Sequence, residues 1–352
     1  MNSTFPILTI AIPTYNRGDS LKYLVDKLSP YLSSNLKLLI MDNNSSDNTA
    51  EYTSLWEKSN ENIFCIRNIS NLGGVVNMLR CIEFSNSKYV WLLGDDDDIN
   101  IEYLDELVTI LYSEDAYSIH LIPKSRQSRK INKYIFGTKI DFMNNFYDIT
   151  ALHLMSSNIY NTEEAKKHLD SAYRLVHLQH AFSLFHSKFL EEGKTLKILN
   201  LPILKEERII IKRWSKFTAH IDALETTYIL FGKDLAEKEF KIRKHEILRV
   251  GIISLFDSKN EGFNSSEVNR IIRLVSIKDL FTPLLCLIIL SLKKNKFSKY
   301  LFIFGIRSIF FLKYKNKYKE VLMDYLRIPQ DSDIELHLKK IFNISKEKTF
   351  KN

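Results

Sequence analysis

Four consecutive aspartates, residues 95–98, form the strongest candidate site for chemistry in this sequence. They follow an uncharged aromatic and branched stretch, residues 89–93, which predicts a buried strand that ends at Gly94. Adjacent carboxylates repel one another unless they lie in water or beside a positive partner, and hard oxygen ligands suit Mg²⁺ or Mn²⁺. Ligands of open α/β sheets bind beyond the carboxyl ends of the strands. We therefore predict a divalent-metal site here, with a solvated acidic turn capping the next helix as the alternative.

Apolar runs alternate with helical patterns over the first third of the chain, which predicts βαβ units, a mostly parallel sheet and flanking helices. The runs are residues 7–12, 36–41, 63–67 and 89–93. Polar residues follow each run, at 14–17, 42–45, 71–74 and 95–98. Because parallel strands place their carboxyl ends at one edge of the sheet, these four loops should converge on one crevice.

The loops exclude two common nucleotide sites. The sequence has no G-x-G-x-x-G after its first strand and no G-x-x-x-x-G-K-[ST], so a dinucleotide dehydrogenase and a P-loop NTPase are both disfavoured. The remaining interpretation is a nucleotide site that uses side-chain carboxylates and a metal in place of a glycine-rich cradle.

The composition predicts a protein with a substantial core in a reducing compartment. Of 352 residues, 45% are hydrophobic, and the three cysteines show neither metal spacing nor a disulfide framework. The first residues lack the pattern of a secretory signal. The net charge of +8 suits a nucleic acid, an anionic membrane or a phosphate-bearing substrate, and does not choose among them.

The same residues carry a resemblance to a known family. IAIPTYNR (10–17), MDNNSSDNT (41–49), NISNLG (68–73) and WLLGDDD (91–97) resemble, in order and spacing, the motifs of family 2 glycosyltransferases with the GT-A fold. The resemblance spans roughly residues 5–115. A weaker similarity through 156–160 and 177–180 resembles bacterial O-antigen sugar transferases, the abequosyltransferase-like group in particular.

The resemblance implies a binding site for a nucleoside diphosphate sugar and a metal cofactor, Mn²⁺ or Mg²⁺. It places the donor sugar nucleotide at Pro13, Thr14, Tyr15, Arg17, Asp42, Asn44, Asn71, Gly74, Asp95 and Asp96. Asp42 would accept a hydrogen bond from the base or the ribose. Asp96 and Asp97 would hold the metal. Two alternatives stay open. In the first, the extra aspartate Asp98 shifts the assignment of the metal ligands by one residue. In the second, Arg17 is a solvated loop cation and not a site residue.

The catalytic base is less evident. Family 2 enzymes are expected to invert the anomeric centre by one displacement, which requires a base that deprotonates the acceptor hydroxyl. No carboxylate lies between Asp170 and Glu191, but His177 and His180 stand three residues apart in a segment, 171–182, that we predict to be helical. Histidine accepts protons near neutral pH. The candidates are His177, His180 and Asp170, with structural histidines as the alternative.

The C-terminal part has a helical pattern, and we predict a GT-A domain over 1–215 and a helical region over 216–352. Residues 280–319 hold nine Lys or Arg and no Asp or Glu, around apolar stretches too short to span a bilayer. Such segments are typical of helices in a membrane interface, or of a helical subdomain with a solvated basic face. The expected location is cytoplasmic, peripheral at the inner face of a bacterial membrane.

The expected function is an inverting, metal-dependent glycosyltransferase that extends a saccharide acceptor, lipid-linked in this enzyme class, for O-antigen or capsule. A non-catalytic GT-A-like module that binds a carbohydrate or a protein partner is the first alternative. A nuclease-like protein that binds nucleic acid is the second. The convergent loops, without alternating basic and aromatic residues around the aspartates, argue against it, so no nucleic-acid partner is expected.

Overall fold

The computed structural model describes residues 5–122, 134–145, 152–205, 217–232 and 234–238. The described residues up to 205, with 229–231, belong to one compact unit, and 217–228 to a second. The division at 215/216 stays a prediction, because most residues after it lie outside the described ranges, as does the basic segment 280–319. None of the helices in the described ranges is long and apolar enough to cross a membrane.

Eight strands form one sheet in the order β3-β2-β1-β4-β7-β5-β8-β6. Their bounds are β1 Leu8–Thr14, β2 Leu36–Asp42, β3 Ile63–Arg67, β4 Tyr89–Leu92, β5 Ser118–Leu121, β6 Ile135–Phe136, β7 Asn158–Asn161 and β8 Leu196–Leu199. The pairs β1–β2, β1–β4, β2–β3 and β5–β8 are parallel. β7 runs antiparallel between β4 and β5, and β6 pairs antiparallel with β8. The first half of the sheet is thus wholly parallel, as predicted, and the second half is mixed.

Nine α-helices are numbered here, and residues 234–238 are also helical. The numbered helices are α1 Gly18–Leu28, α2 Thr49–Ser59, α3 Gly74–Phe84, α4 Leu104–Ser113, α5 Lys139–Asn145, α6 Thr162–Lys166, α7 Leu169–Tyr173, α8 Leu184–Glu191 and α9 Phe217–Phe231. The helices α1, α2 and α3 connect the four parallel strands in turn, so the predicted alternation of strand and helix is confirmed for this part of the chain.

The core lies on both faces of the parallel strands. Ile10, Ala11 and Ile12 of β1 are fully buried, as are Val90 and Trp91 of β4. A strand that is apolar at successive positions has both faces covered, which is the usual state of a parallel strand between helices. This packing fixes the strands whose carboxyl ends carry the polar loops.

The register brings those carboxyl ends together. Thr14 pairs with Asp42 across β1 and β2, and Asp42 pairs with Arg67 across β2 and β3. β4 continues beside β1, where the backbone N–H of Leu93 donates to the carbonyl of Ala11 at 3.0 Å. The four polar loops therefore leave the sheet at one edge.

Candidate active site

Buried asparagine side chains hold the loops after β2 and β3 in place. The Asn43 amide Nδ2 donates to Asn71 Oδ1 at 2.7 Å, and Asn43 Oδ1 accepts from Asn68 Nδ2 at 3.0 Å. Asn68 Nδ2 also donates to Asn77 Oδ1 at 2.8 Å, which ties this network to α3. A buried amide left without partners would cost free energy, so these bonds fix the loop shapes before any ligand arrives.

Asp42 ends β2 as a buried carboxylate with both oxygens engaged. Its Oδ1 accepts the backbone N–H of Ser45 at 2.9 Å, and its Oδ2 lies 3.1 Å from Arg67 Nη1. Arg67 Nη2 also donates to Asn44 Oδ1 at 3.1 Å, and Asn44 adopts a φ of 64°. A carboxylate oxygen has two lone pairs, so Asp42 retains capacity to accept a further N–H or O–H.

Arg17 bridges the first two aspartates of the acidic run. Its Nη1 lies 2.5 Å from Asp95 Oδ1 and 2.8 Å from Asp96 Oδ2. Thr14 Oγ1 donates to Asp95 Oδ2 at 2.8 Å. Burial raises the pKa of Asp95, and the charge of Arg17 only partly offsets this. Arg17 is therefore an ion-pair partner within the acidic run, not a solvated loop cation, whereas the Asp96 side chain is 45% exposed.

Asp97 is hydrogen-bonded to Ser156, which lies just before β7 in the antiparallel half of the sheet. Its Oδ2 accepts the backbone N–H of Gly94 at 3.0 Å and the hydroxyl of Ser156. Burial raises the pKa of Asp97, while the Ser156 hydroxyl lowers it. A Cβ at Gly94 would fall 2.7 Å from Asp97 Oδ2, so any larger residue at this position would displace the Asp97 carboxylate. Asp96 and Asp97 thus present carboxylates in two directions from one turn.

Asp98 belongs to a different set of contacts. Lys27 Nζ lies 2.5 Å from its Oδ1, and Lys205 Nζ lies 3.0 Å from its Oδ2. Burial raises the pKa of Asp98, but the two lysines outweigh this effect and hold the pKa below its usual value. The fourth aspartate therefore ties α1 to the segment after β8.

We predict that Asp98→Asn affects stability and leaves metal binding intact. Because the pair is partly exposed, the loss at pH 7 should be about 0.5–1 kcal/mol in the free energy of unfolding, measured by urea denaturation. The Asp98 pKa is lowered in the folded state, so its contribution is present above the usual value of 3.8 and is lost as pH falls through the folded-state pKa. A difference between wild type and variant that persists undiminished at pH 2 would contradict this assignment.

The remaining predicted donor residues lie along the same edge. Pro13 pairs in register with Met41, and Tyr15 follows β1 with a largely exposed ring. Asn71 Oδ1 accepts the backbone N–H of Gly73 at 2.9 Å, and Gly74 begins α3. The structure thus brings the predicted donor residues to one edge, while their roles in binding stay predictions.

The carboxylates fit a divalent metal that is shared with a diphosphate. Asp96 and Asp97 supply hard oxygen donors, and the guanidinium of Arg17 already stands as a cation against Asp96. Within the described ranges, no three His, Cys, Asp or Glu side chains are arranged to hold a metal by themselves. Mg²⁺ sites commonly use one or two carboxylates together with substrate phosphates, so this donor set suits an ion that arrives with its nucleotide.

The predicted helix over 171–182 is wrong. Helix α7 ends at Tyr173, and bonds from Leu175 N to Ala172 O and from Leu178 N to Leu175 O continue the chain as tight turns. A short 3₁₀ segment, Ala181–Ser183, follows these turns and leads directly into α8 at Leu184. The chain therefore breaks and packs as turns, a short 3₁₀ segment and α8.

This geometry separates the three candidate bases. His177 is exposed in a turn, whereas His180 is buried with its ring 4.9 Å from that of His153. Asp170 is exposed on α7. His177 and His180 therefore do not share a helical face, and the catalytic role of each candidate stays a prediction.

The sequence analysis did not identify two residues of the site. Ser156 contacts Asp97, and Arg67 contacts Asp42. Ser156 lies in the segment 156–160 that carries the weaker resemblance, so that segment was the available signal. Arg67 ends a predicted strand beside the Asp42 loop, but only the strand register shows that the two side chains meet.

Comparisons with known proteins agree with this architecture. Residues 9–167 match the family model described as glycosyl transferase family 2. The abequosyltransferase RfbV of Salmonella typhimurium is 34% identical over 111 residues, which are 31% of this chain and 33% of that protein. The uncharacterized glycosyltransferase YibD of Escherichia coli is 28% identical over 115 residues, 33% of each chain. The matched segments span about a third of the length of these curated relatives.

A solved structure extends the likeness in fold. The mannosyltransferase PcManGT from Pyrobaculum calidifontis, crystallised with GDP-Man and Mn²⁺, aligns with a TM-score of 0.50 and 13% identity over 97% of this chain and 88% of that chain. At this identity the likeness concerns the fold alone. The predicted α/β fold of the GT-A type is confirmed, and within it residues 9–167 are similar to glycosyl transferase family 2.

Proposed function

We propose that this protein is an inverting glycosyltransferase that moves a sugar from a nucleoside diphosphate sugar to a lipid-linked saccharide in O-antigen or capsule assembly. The observation that carries the proposal is the edge of the sheet where Asp42, Arg17 and the carboxylates of Asp96 and Asp97 meet. The names of the curated relatives support sugar transfer as the reaction class.

The donor nucleotide would bind across the loops after β1, β2 and β3. Asp42, held by Ser45 and Arg67, would accept an N–H of the base or a hydroxyl of the ribose. Asn71 and Gly74 would lie beside the ribose and the phosphates. Because the asparagine network already fixes these loops, binding would cost little ordering entropy.

Asp96 and Asp97 would hold the Mn²⁺ or Mg²⁺ cofactor. When bound, the ion would stabilise the negative charge on the departing nucleoside diphosphate. Arg17 lies 2.8 Å from Asp96 Oδ2 and can turn its charge toward a phosphate once a metal takes over the carboxylates. The metal that the aspartates would hold and the guanidinium of Arg17 would together provide positive charge at the leaving group.

His177 is the base that we propose for the acceptor hydroxyl. It is the exposed member of the two candidate histidines, while His180 is buried against His153. A general base must reach the substrate proton directly or through one water, and the buried His180 ring, packed against His153, is poorly placed for that. Asp170 is the remaining exposed candidate.

We predict that His177→Ala lowers kcat by about 10²–10⁴-fold, the usual contribution of a general base. The donor KM and the thermal shift caused by diphosphate and Mn²⁺ should stay unchanged, because the donor residues are untouched. Asp170→Ala is the comparison variant and should retain most of kcat. If Asp170→Ala lowers kcat more than His177→Ala does, Asp170 and not His177 is the general base.

Membrane association is proposed through the basic segment 280–319, placing the protein in the cytoplasm at the inner face of the bacterial membrane. Its lysines and arginine would contact anionic headgroups while the adjacent apolar residues enter the interface. Such contact would bring the active site to a lipid-linked acceptor.

The experiment that tests this function has two stages. Thermal unfolding with UDP, dTDP, GDP or CDP, each with and without Mn²⁺, should reveal one diphosphate that raises the melting temperature, because a ligand of the native state stabilises it. Sugar donors of that nucleotide should then release the diphosphate when lipid-linked saccharides are added. Binding without release would favour the non-catalytic GT-A-like module. No stabilisation by any diphosphate would contradict the proposed site.

A further inference from the structure

Ser156 joins the acidic loop to a part of the chain that lies well beyond it in sequence. The residue belongs to the 3₁₀ segment Met155–Ser157, directly before β7. Its carbonyl accepts the indole Nε1–H of Trp91 at 2.7 Å, which fixes the Ser156 backbone against the buried face of β4. Its hydroxyl is thereby held beside Asp97 and Gly94.

The donors and acceptors around Ser156 determine where its proton points. The backbone N–H of Gly94 donates to Ser156 Oγ at 3.0 Å, and it also donates to Asp97 Oδ2 at 3.0 Å. Since Ser156 Oγ accepts that N–H, its own hydroxyl hydrogen is available to Asp97 Oδ2, with which it forms a hydrogen bond. Gly94, Ser156 and Asp97 thus form a closed ring of three hydrogen bonds.

This ring distinguishes the two oxygens of Asp97. Oδ2 accepts two hydrogen bonds from the protein, whereas no described residue donates to Oδ1. Asp96, by contrast, has only Arg17 as an ion-pair partner in the described ranges, and its side chain is 45% exposed. The carboxylate of Asp97 is therefore the oriented one of the pair.

We propose that Ser156 is the positioning residue that orients Asp97 for the metal, leaving Oδ1 to bind the ion. The inference rests on the proposed function, because it assumes that Asp97 is a metal ligand. Outer hydrogen bonds of this kind fix the direction of a ligand's lone pairs, and removing one weakens metal affinity by about 10–100-fold in known metal sites. Through Ser156, the part of the domain that follows the acidic loop would therefore fix the orientation of the metal ligand Asp97.

The test is a Mn²⁺ titration followed by electron paramagnetic resonance of free Mn²⁺, in the presence of whichever of UDP, dTDP, GDP or CDP stabilises the wild type. Ser156→Ala should raise the Mn²⁺ Kd by about tenfold or more, while Ser156→Thr, which keeps the hydroxyl, should restore it. Diphosphate binding without metal should be equal in all three proteins.

Ser87→Ala is the matched control, because it removes another buried serine hydroxyl, at the opposite end of β4. Ser87 Oγ donates to the carbonyl of Tyr89 at 2.9 Å, and it contacts none of the aspartates. Its loss should lower the melting temperature without changing the Mn²⁺ Kd. This control separates a loss of stability from a loss of ligand orientation.

The outcomes are distinct. A wild type that binds Mn²⁺ and a Ser156→Ala variant with the same Mn²⁺ Kd would overturn the role of Ser156 and leave the proposed function standing. Failure of Ser156→Thr to recover the affinity would also overturn it, because the hydroxyl would then not be the active feature. A wild type that takes up no Mn²⁺ with any diphosphate would overturn the proposed function and this inference together.

Discussion

Asp97→Asn is expected to remove Mn²⁺-dependent nucleotide binding and to lower kcat/KM by about 10³-fold, since a catalytic metal supplies several kcal/mol of charge stabilisation. The carboxamide can still accept from Gly94 and Ser156 at its oxygen, so the loop should keep its shape. What the variant loses is the negative charge that binds the ion. The measurements are thermal unfolding with diphosphate and Mn²⁺, and the rate of diphosphate release.

Asp98→Asn is the matched control for this variant, because it removes a neighbouring carboxylate that pairs with Lys27 and Lys205. It should retain both the metal-dependent shift and most of the activity. If Asp98→Asn loses the shift and Asp97→Asn keeps it, the metal register is one residue later than proposed, and the present assignment of Asp96 and Asp97 is wrong.

Arg17→Ala is expected to destabilise the metal-free protein by about 2 kcal/mol, less than a fully buried ion pair because Arg17 is partly exposed. The substitution leaves Asp95 buried beside Asp96 without its cation, and among the described residues Thr14 is then its one remaining side-chain donor. Mn²⁺ should recover much of this loss, since a divalent ion at the aspartates replaces the missing positive charge. Urea unfolding with and without Mn²⁺ measures both effects.

Arg67→Ala provides the comparison, because Arg67 also pairs with a buried carboxylate, that of Asp42, but forms no ion pair with residues 95–98 in the described ranges. It should lose stability as well, and Mn²⁺ should not restore it. Equal recovery of both variants would mean that Mn²⁺ stabilises the fold through another site. Absence of recovery in Arg17→Ala would mean that the ion does not replace the guanidinium.

The parallel half of the domain could be predicted because several signals agree there. Apolar runs mark β1 to β4, helical patterns mark the connections, and turn residues mark each loop. The strands β2 and β3 were expected at 36–41 and 63–67 and occur at Leu36–Asp42 and Ile63–Arg67. The sheet edge then follows from topology, so the placement of the Asp42 loop and the aspartate loop at one edge required no knowledge of tertiary contacts.

The second half could not be predicted in the same way, because its structure depends on long-range packing. The sequence of residues 171–182 does not show that the helix ends at Tyr173, and only the surrounding core decides that His180 is buried while His177 is exposed. The contact between Ser156 and Asp97 joins residues 59 positions apart. A sequence pattern does not show that two distant residues are in contact, although it can indicate the segment in which one of them lies.

The most direct test of the central claim is calorimetric titration of the stabilising diphosphate into the wild type, with and without Mn²⁺, and into Asp97→Asn. The account predicts that Mn²⁺ tightens diphosphate binding to the wild type by at least about tenfold, about 1.4 kcal/mol, and has no such effect on Asp97→Asn. Equal affinity with and without Mn²⁺ in the wild type would contradict the claim that these aspartates hold a metal shared with the donor.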